Sequence, residues 1–597
     1  MSSFDETFPL QRLCSPLSDA VRPLYFSDNG DLVVQEGGDL LFEAGSKCSF
    51  DAYFNSFYES YWLENTDISD LFLEFVLLGC VLIEVYRDFG DGNPSRIFAS
   101  KIRAPLESIR IPLPLFKSGQ LGQSGRLFAD FTAITDCRLS GVQYTSSLRP
   151  FADTSLTLGI CTFNREDFLL RNLSSIDRIW PSISTLRHVV IVNQGASFSN
   201  PPLLALLAEQ QNYTVVQQRN LGGCGGFTRT MHEVLEHHHP SHHLLMDDDT
   251  TLDPQMLANL ALFLGYVSRN IIVGGHMLDM LRPCTLYEAG AMLRHDARVQ
   301  ALNHNLDLTQ PDALSAFCNA VKVDYNAWWL CAIPAHHMRE AGYPAPVFIR
   351  GDDMEYGVRL GLRGVRTVAM PGVAVWHEPF YAKPGGWQMY YDLRNRLILA
   401  ATYPERFSPQ SPKKILWVMA QALAVHDYYT ASLLALAVKD FLKGPILFDQ
   451  DAEDTHKHLT SSTRQHDIDP IDRQSATRPS RTRERWQGEL RVALGLMVKL
   501  GWTLLRGGSR RPSRLLLDVE AHPGNVGAHP YIKTNGVGTY RKSYSPNRRQ
   551  LANGLVECFK VYRTYRLRRG QVCKQWAENS SSYKSKAWWM GTFGSSI

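Results

Sequence analysis

The sequence is poor in the features that would place it in a secreted, membrane-spanning or nucleic-acid-binding class. No Cys-x-x-Cys pair occurs among its eleven scattered cysteines, which suits a reducing compartment rather than a disulfide scaffold. The opening stretch, Met1 to Leu13, carries acidic residues and no apolar h-region, so it does not read as a signal peptide. No apolar run is clean enough to cross a bilayer. The longest, Ile415–Leu442, is interrupted by His426, Asp427, Lys439 and Asp440 and predicts a buried helix pair. The net charge of +3 is too small by itself to argue for nucleic acid. A cytoplasmic chain, at most peripheral to a membrane, is expected.

What is present is a long, largely globular chain. Its 597 residues, 44% hydrophobic and 20% charged, exceed a single core and predict about three domains. Residues 1–150 alternate β-like runs with turns. Phe72–Tyr86, Ser108–Leu115 and Gly125–Thr135 are separated by signals such as Asp91-Gly92-Asn93-Pro94, which predicts a β-sandwich. From Ser155 the pattern changes to Ser155–Cys161, His188–Val192, Tyr213–Gln217, His243–Met246 and Ile271–Gly275, alternating with helical stretches such as Gln255–Leu264. This predicts a mostly parallel α/β sheet over 151–385, with ligands at the carboxyl ends of its strands. Residues 386–597 predict a mainly helical region, with a polar linker at 450–485. Val492–Leu505 reads as a packed helix, or alternatively as one lying on a membrane. Arginine-rich clusters at Arg478–Arg485, Arg506–Arg514, Arg541–Arg549 and Arg563–Arg569 read as a surface for anionic lipid or an anionic carrier, or as a solvated face.

The sharpest chemical signal is Leu244-Leu245-Met246-Asp247-Asp248-Asp249, an apolar strand ending in three carboxylates. Such a cluster repels itself unless a cation is present, and hard oxygen ligands suit Mn²⁺ or Mg²⁺. Alternation along the strand end lets Asp247 and Asp249 point the same way. A solvated acidic turn capping the next helix is the plainer alternative. Trp376-His377 follows another apolar run, and a neutral imidazole can complete a metal site. Arg165, after the first strand, could contact base or phosphate, and Asn193, after the second, a uracil edge; either residue could equally be a turn former or a surface charge. Asn220-Leu221-Gly222-Gly223 lets backbone approach a ligand but lacks the ending of a Walker A loop. Arg350-Gly351-Asp352-Asp353 offers a proton acceptor, Asp353, with Asp352 beside it to position a hydroxyl; helix capping is the alternative. Trp328 and Trp329 offer flat faces for a sugar, or core packing. The run His237–His243 looks metal-binding, but it precedes a strand at the end opposite the acidic cluster and reads as solvent-exposed.

Taken in order, these motifs resemble family 2 glycosyltransferases of the GT-A fold, and more closely the polymerising UDP-galactofuranosyl transferases of cell-wall galactan. The matching segments are YFNSFYESYW (53–62), TFNR (162–165), NQG (193–195), NLGGCGGFTR (220–229), MDDD (246–249), VGGHM (273–277), VDYNAWWLCAIP (323–334), FIRGDD (348–353), GVAVWH (372–377), YYDLRNRL (390–397) and KDFLKGP (439–445). The resemblance implies an N-terminal β-sandwich of carbohydrate-binding type (1–150), a Rossmann-like GT-A domain (151–385) and a mainly helical C-terminal domain (386–597). It also implies inverting transfer of galactofuranose from UDP-galactofuranose to a cell-surface glycan or lipid-linked galactan. By position, Asp247, Asp249 and His377 would hold Mn²⁺ or Mg²⁺, and Asp353 would be the general base. Asp352, Trp328 and Trp329 would meet the acceptor. Arg165, Asn193, Asn220, Gly222, Gly223 and Asp248 would meet the nucleotide sugar.

Four positions depart from the family pattern: Asn193 for an Asp, Ala291 for an acidic residue beside Gly290, Arg350-Gly351 for Lys-Trp, and Asp392 for a His. Glu288 lies near Ala291 but is not equivalent to it in sequence. Expected partners are a UDP-sugar donor and a glycan or glycolipid acceptor, with peripheral membrane contact and homo-oligomer formation left open and nucleic acid not expected. Another donor such as dTDP-rhamnose is the alternative within the same chemistry. A catalytically silent carbohydrate-binding or assembly protein is the alternative of a different class. A nucleotidyltransferase fits the paired Asp and downstream Trp-His poorly.

Overall fold

Long alternating apolar runs shape the N-terminal region. Along Leu71–Asp88, buried and half-exposed residues alternate, so one face of this strand belongs to a core. Ser95–Leu113 lies antiparallel along its whole length. The first half of Leu71–Asp88 also pairs with Cys137–Ser146 and its second half with Arg126–Ala133. One strand thereby serves both halves of a ten-stranded sheet that divides around it. The structure, a computed structural model, describes residues 6–29, 32–35, 38–115, 124–383, 386–464, 468–469, 489–506, 514–526, 529–535 and 541–594.

The aromatic segment 53–62 joins this sheet to the next layer. Tyr53, Phe54, Phe57, Tyr58, Tyr61 and Trp62 are all buried. Trp62 meets Phe263 edge-on at 4.8 Å, Phe54 meets Trp376 at 5.8 Å, and the Tyr53 hydroxyl lies 2.7 Å from His276 Nδ1. These rings fill a shared core and offer no open sugar platform.

The central sheet carries the motifs. Strands β1 (Leu156–Thr162), β2 (Leu186–Asn193) and β3 (Tyr213–Gln217) lie parallel, and β4 (His242–Asp247) runs parallel to β1 on its other side. Helix α1 (Gly222–Glu233) follows β3 and packs on β1. Short β5 (Thr250–Leu252), then β6 (Ile271–Asp279), β7 (Arg282–Glu288) and β8 (Leu330–Pro334) extend the sheet, with β8 antiparallel to β4. Helix α2 (Asp352–Leu362) precedes β9 (Arg366–His377), which is parallel to β6 and antiparallel to β5. The carboxyl ends of β1, β2 and β4 therefore open on one edge, as their apolar runs with polar endings require.

Two expectations need correction. His242 and His243 are not solvent-exposed: both are fully buried at the start of β4. His243 bridges Thr230 Oγ1 and the Thr157 carbonyl, each at 2.9 Å, so two imidazole nitrogens that would be costly bare are satisfied. Part of the stretch read as a linker forms the helix Ala452–Arg464, whose polar composition hid its periodicity.

Beyond 385, Gln388–Thr402 and the predicted pair Pro412–Ala424 and Tyr428–Phe441 pack with the long helix Arg548–Asn579. Val492–Leu505 lies within the helix Glu489–Arg506. A four-stranded sheet built from Ile468–Asp469, Arg514–Leu517, Tyr531–Thr534 and Arg541–Tyr544 accompanies the helices. The Arg478–Arg485 cluster and residues 507–513 lie outside the described residues. Among the described residues, no helix is long and apolar enough to cross a membrane.

Candidate active site

A cavity of ≈ 1540 Å³ opens at the strand ends and is lined by Arg165, Asn220, Gly222, Gly223, Asp247, Asp248, Asp249, Trp328, Trp329, Asp352, Asp353 and His377. Residues far apart in sequence thus share one hollow. Asn193 does not line it. Its Nδ2 donates to the Ala196 carbonyl at 2.7 Å and to Gln217 Oε1 at 3.0 Å, and its Oδ1 accepts the Gly195 N–H at 3.0 Å. Every polar atom of that side chain is spent on its own turn. The cavity is reached instead by the next residue, Gln194, which also accepts the Leu221 N–H at 2.9 Å and donates to the Gly222 carbonyl at 2.8 Å.

The glycine segment shows why small residues stand there. Asn220 Oδ1 accepts the Gly222 N–H at 2.9 Å, starting α1. Gly222 has φ +70°, and a Cβ at that position would lie 2.0 Å from the Phe348 carbonyl oxygen. At Gly226 a Cβ would meet Cys161 Sγ at 2.0 Å. Only glycine lets α1 press against β1 and the 348 loop at once.

At one end of the cavity, β4 and β9 finish side by side. Register pairs Thr250 with His377, bringing the imidazole over the acidic turn. His377 Nε2 lies 2.9 Å from Asp249 Oδ1 and 3.8 Å from Asp247 Oδ2. Candidate ligand atoms of Asp247, Asp249 and His377 all lie within 4.8 Å of one another. Asp249 Oδ1 is buried without a hydrogen bond of acceptable geometry, as is His377 Nδ1. Two carboxylates and an imidazole, one carboxylate oxygen lacking a well-formed hydrogen bond, fit a hard divalent cation. Asp249 also ion-pairs with Arg165 and, at 3.1 Å, with Lys383. Burial pushes the Asp249 carboxyl up, but His377, Lys383 and Arg165 outweigh it and hold the group well below its usual range. Asp248 turns away from this group, with Oδ2 3.4 Å from the Phe163 N–H.

At the other end stands the start of α2. Phe348, Arg350 and Gly351 all have positive φ, at 72°, 65° and 98°. This unusual bend sets Asp352 and Asp353 in the first turn of the helix, facing the cavity. Two side chains from Gln388–Thr402 hold the bend. Asn395 Nδ2 donates to the carbonyls of Ile349 at 2.9 Å and Arg350 at 2.6 Å, and Arg394 donates to Val347 at 2.6 Å. Strained backbone persists only where surrounding bonds over-determine it. Arg350 itself reaches back to Asp392 at 2.6 Å. Burial, then the neighbouring Asp353 charge, pushes Asp352 well above the ordinary carboxylate range. Burial also raises Asp353, to about 6, with Met354 N–H and Arg350 opposing.

Both tryptophans sit with one edge at the cavity and the rest in the core. Trp329 Nε1 donates to the Gly275 carbonyl at 3.0 Å, and Trp328 packs edge-on against Phe227 and Tyr356. Sequence reasoning missed Gln194, Lys383, the Arg394–Asn395 clamp and Glu288 as part of the wall. The clamp left a trace as YYDLRNRL and Gln194 as the middle of NQG, Glu288 showed only as a near neighbour of Gly290, and Lys383 left none.

Comparison with known proteins places this architecture. Residues 154–399 match the family described as glycosyltransferase like family 2, and residues 10–147 match galactofuranosyltransferase 2 N-terminal. Curated relatives include galactofuranosyltransferase GlfT2 of Mycobacterium tuberculosis, 30% identical over 424 residues, covering 66% of this chain and 64% of the relative. GlfT2 of Mycolicibacterium smegmatis is 28% identical over 414 residues, covering 66% and 63%. The chain thus spans a little under two thirds of the length of the curated relatives it matches. Similar solved structures include GalNAc-T7 with UDP, GalNAc and Mn²⁺, at 14% identity, 43% of this chain, 51% of that one and a TM-score of 0.31. Another is the mannosyltransferase PcManGT from Pyrobaculum calidifontis with GDP-Man and Mn²⁺, at 14%, 53%, 82% and 0.30. At such scores these two likenesses carry no weight. Residues 154–399 are thus similar to the family 2-like glycosyltransferases, and with the matched N-terminal domain the chain is a homologue of the galactofuranosyltransferases over 66% of its length.

Proposed function

We propose that the protein is an inverting, divalent-metal-dependent glycosyltransferase that moves galactofuranose from UDP-galactofuranose to a cell-surface glycan or lipid-linked galactan. The observation that carries this reading is the pairing, across one cavity, of the Asp247–Asp249–His377 group with the separate Asp352–Asp353 turn. Its homology to galactofuranosyltransferases favours the sugar.

In this reading Asp247, Asp249 and His377 hold Mn²⁺ or Mg²⁺, which when bound offsets charge on the departing diphosphate. Arg165 and Lys383, now paired with Asp249, add positive charge where that diphosphate lies. Asn220, Gly222, Gly223 and Gln194 line the donor side. An acceptor hydroxyl oxygen bonds to the anomeric carbon, its proton passes to the Asp353 carboxylate, and the carbon–oxygen bond to UDP breaks. Attack from the face opposite the leaving group inverts the anomeric configuration. Asp352 holds the acceptor, and the cavity edges of Trp328 and Trp329 bound its sugar faces.

The exposed side of Arg548–Asn579 sets Val556, Phe559 and Leu567 beside Arg563, Arg566 and Arg568. We read this face as touching an anionic membrane peripherally; sedimentation with anionic vesicles, weakened by salt, tests it.

The deciding experiment is incubation of the purified chain with Mn²⁺, UDP-galactofuranose and an oligogalactofuranoside. Product mass reports the sugar and the number added, and proton NMR of the first bond formed reports inversion. Transfer from dTDP-rhamnose, with none from UDP-galactofuranose, would overturn the donor assignment. No transfer from any nucleotide sugar would favour a silent binding protein.

A further inference from the structure

Glu288 closes β7 and pairs through its backbone with Met277 of β6. Its side chain is only 6% exposed, yet it lines the cavity, and its Oε1 has no hydrogen-bond partner. A buried polar atom left unmet is costly, so its presence in a cavity wall points to a ligand that completes it. Burial and the Asp353 charge both push Glu288 the same way, up to about 8. The acid is therefore neutral near pH 7 and carries an O–H to donate, beside a carboxylate with its proton lost.

The groups facing this pair come from several elements. Arg350, in the loop before α2, acts on Asp353, Tyr287 and Tyr325. Tyr325 feels both Glu288 and Asp353, and Asp324 stands next to it. Tyr287 precedes Glu288 on β7, and His377 ends β9 on the far side of β6. Asp352 adjoins Asp353 on α2. Arg350 is the arginine of this set, and its guanidinium is bonded to Asp392.

Resting on the transferase reading above, we propose that Glu288 is an acceptor-positioning residue: its carboxyl hydrogen-bonds one hydroxyl of the acceptor sugar and turns the neighbouring, reacting hydroxyl toward Asp353. The two carboxyls then divide one task. Asp353 takes the proton of the reacting hydroxyl, while Glu288 keeps its own proton and donates it to a hydroxyl that does not react. The ligand class is a sugar with adjacent free hydroxyls at the growing end.

The test uses the full chain with Mn²⁺, UDP-galactofuranose and an oligogalactofuranoside, comparing wild type with Glu288→Ala and Glu288→Gln. Glu288→Ala is expected to raise the acceptor KM about tenfold, the worth of one good hydrogen bond. UDP affinity by calorimetry and acceptor-free donor hydrolysis should not change. Glu288→Gln should restore the acceptor KM, because an amide N–H donates in the same place. It should also remove the fall in activity that wild type shows as Glu288 ionises above about 8. Neither variant should melt far below wild type, since Glu288→Ala removes an unsatisfied buried carboxyl and Glu288→Gln keeps its shape. An unchanged acceptor KM in Glu288→Ala, or an alkaline fall that persists in Glu288→Gln, overturns the assignment while leaving the transferase reading intact. An equal loss of UDP affinity in both variants would make the residue structural and overturn it too. Wild type that transfers nothing sinks both readings together.

Discussion

The two acidic ends of the cavity treat buried carboxylates in opposite ways. At the β4–β9 end, Asp249 is buried but surrounded by His377, Arg165 and Lys383, and it stays ionised. At the α2 end, Asp352 and Asp353 face each other and Glu288 with Arg350 as the cation among them, and burial drives protons on. Burial is common to both; the neighbouring charges decide. In the proposed reading, one end attracts a cation and the other takes up a proton. Glu355 supplies a control on the same helix. It is as buried as Asp352, yet Arg359 and Lys584 outweigh burial and hold it down to about 2.

Breaking the first end should have the largest effect. Asp249→Asn, or chelation of the wild type, is expected to abolish transfer, with Mn²⁺ no longer raising the melting temperature of the variant. A variant that still responds to Mn²⁺ would dissolve the contrast. Next, Asp353→Asn should lower kcat by about 10²–10⁴-fold with UDP affinity intact. Asn395→Leu removes the clamp on the carbonyls of Ile349 and Arg350 and should cost on the order of 10²-fold in kcat by shifting Asp353, without touching the metal response. Equal losses of Mn²⁺ response and rate would mean the two ends are not separable.

The pH profile sharpens the contrast further. As the proposed base, Asp353 would have to lose its proton and holds it up to about 6, so activity should fall about tenfold per pH unit below that value. Glu355 has the opposite sign. Its folded value of about 2 lies below the unfolded 4.5, so the stability it contributes is present above 4.5 and lost as pH falls from there toward 2. Replacing it with Gln strands Arg359 and Lys584 without their shared carboxylate and should cost about 3–5 kcal/mol, read by denaturant titration at neutral pH.

The β4–β9 end was far more legible in the sequence than the α2 end. Asp247, Asp249 and His377 each follow an apolar run directly, so strand-end logic locates them without knowing any long-range contact. Asn193 and Gln194 show the limit of that logic. Both end a strand buried on both faces, where alternation is silent, and side-chain bonding to Ala196 and Gln217 decides which one turns inward. Glu288 was visible only as a near neighbour of Gly290, because the register of β6 on β7 and the position of α2 bring it into the wall. Ala291 is fully buried, so that position packs rather than reaches the cavity. The four-stranded sheet at 468–544 escaped notice because its strands are two to four residues long. The central α/β sheet was plain because its strands alternate with helices.

Lys584 reaches the helix of Asp353 from near the end of the described residues. It docks 3.3 Å from Glu355, its carbonyl accepts the Tyr343 N–H, and Trp589 Nε1 donates to the Pro344 carbonyl. The helix bearing Asp353 is thus finished by residues synthesised more than two hundred positions later. A nascent chain still attached to the ribosome at residue 580 would own every residue assigned to chemistry and still lack the fastener that seats them, so activity should emerge late in synthesis, all at once.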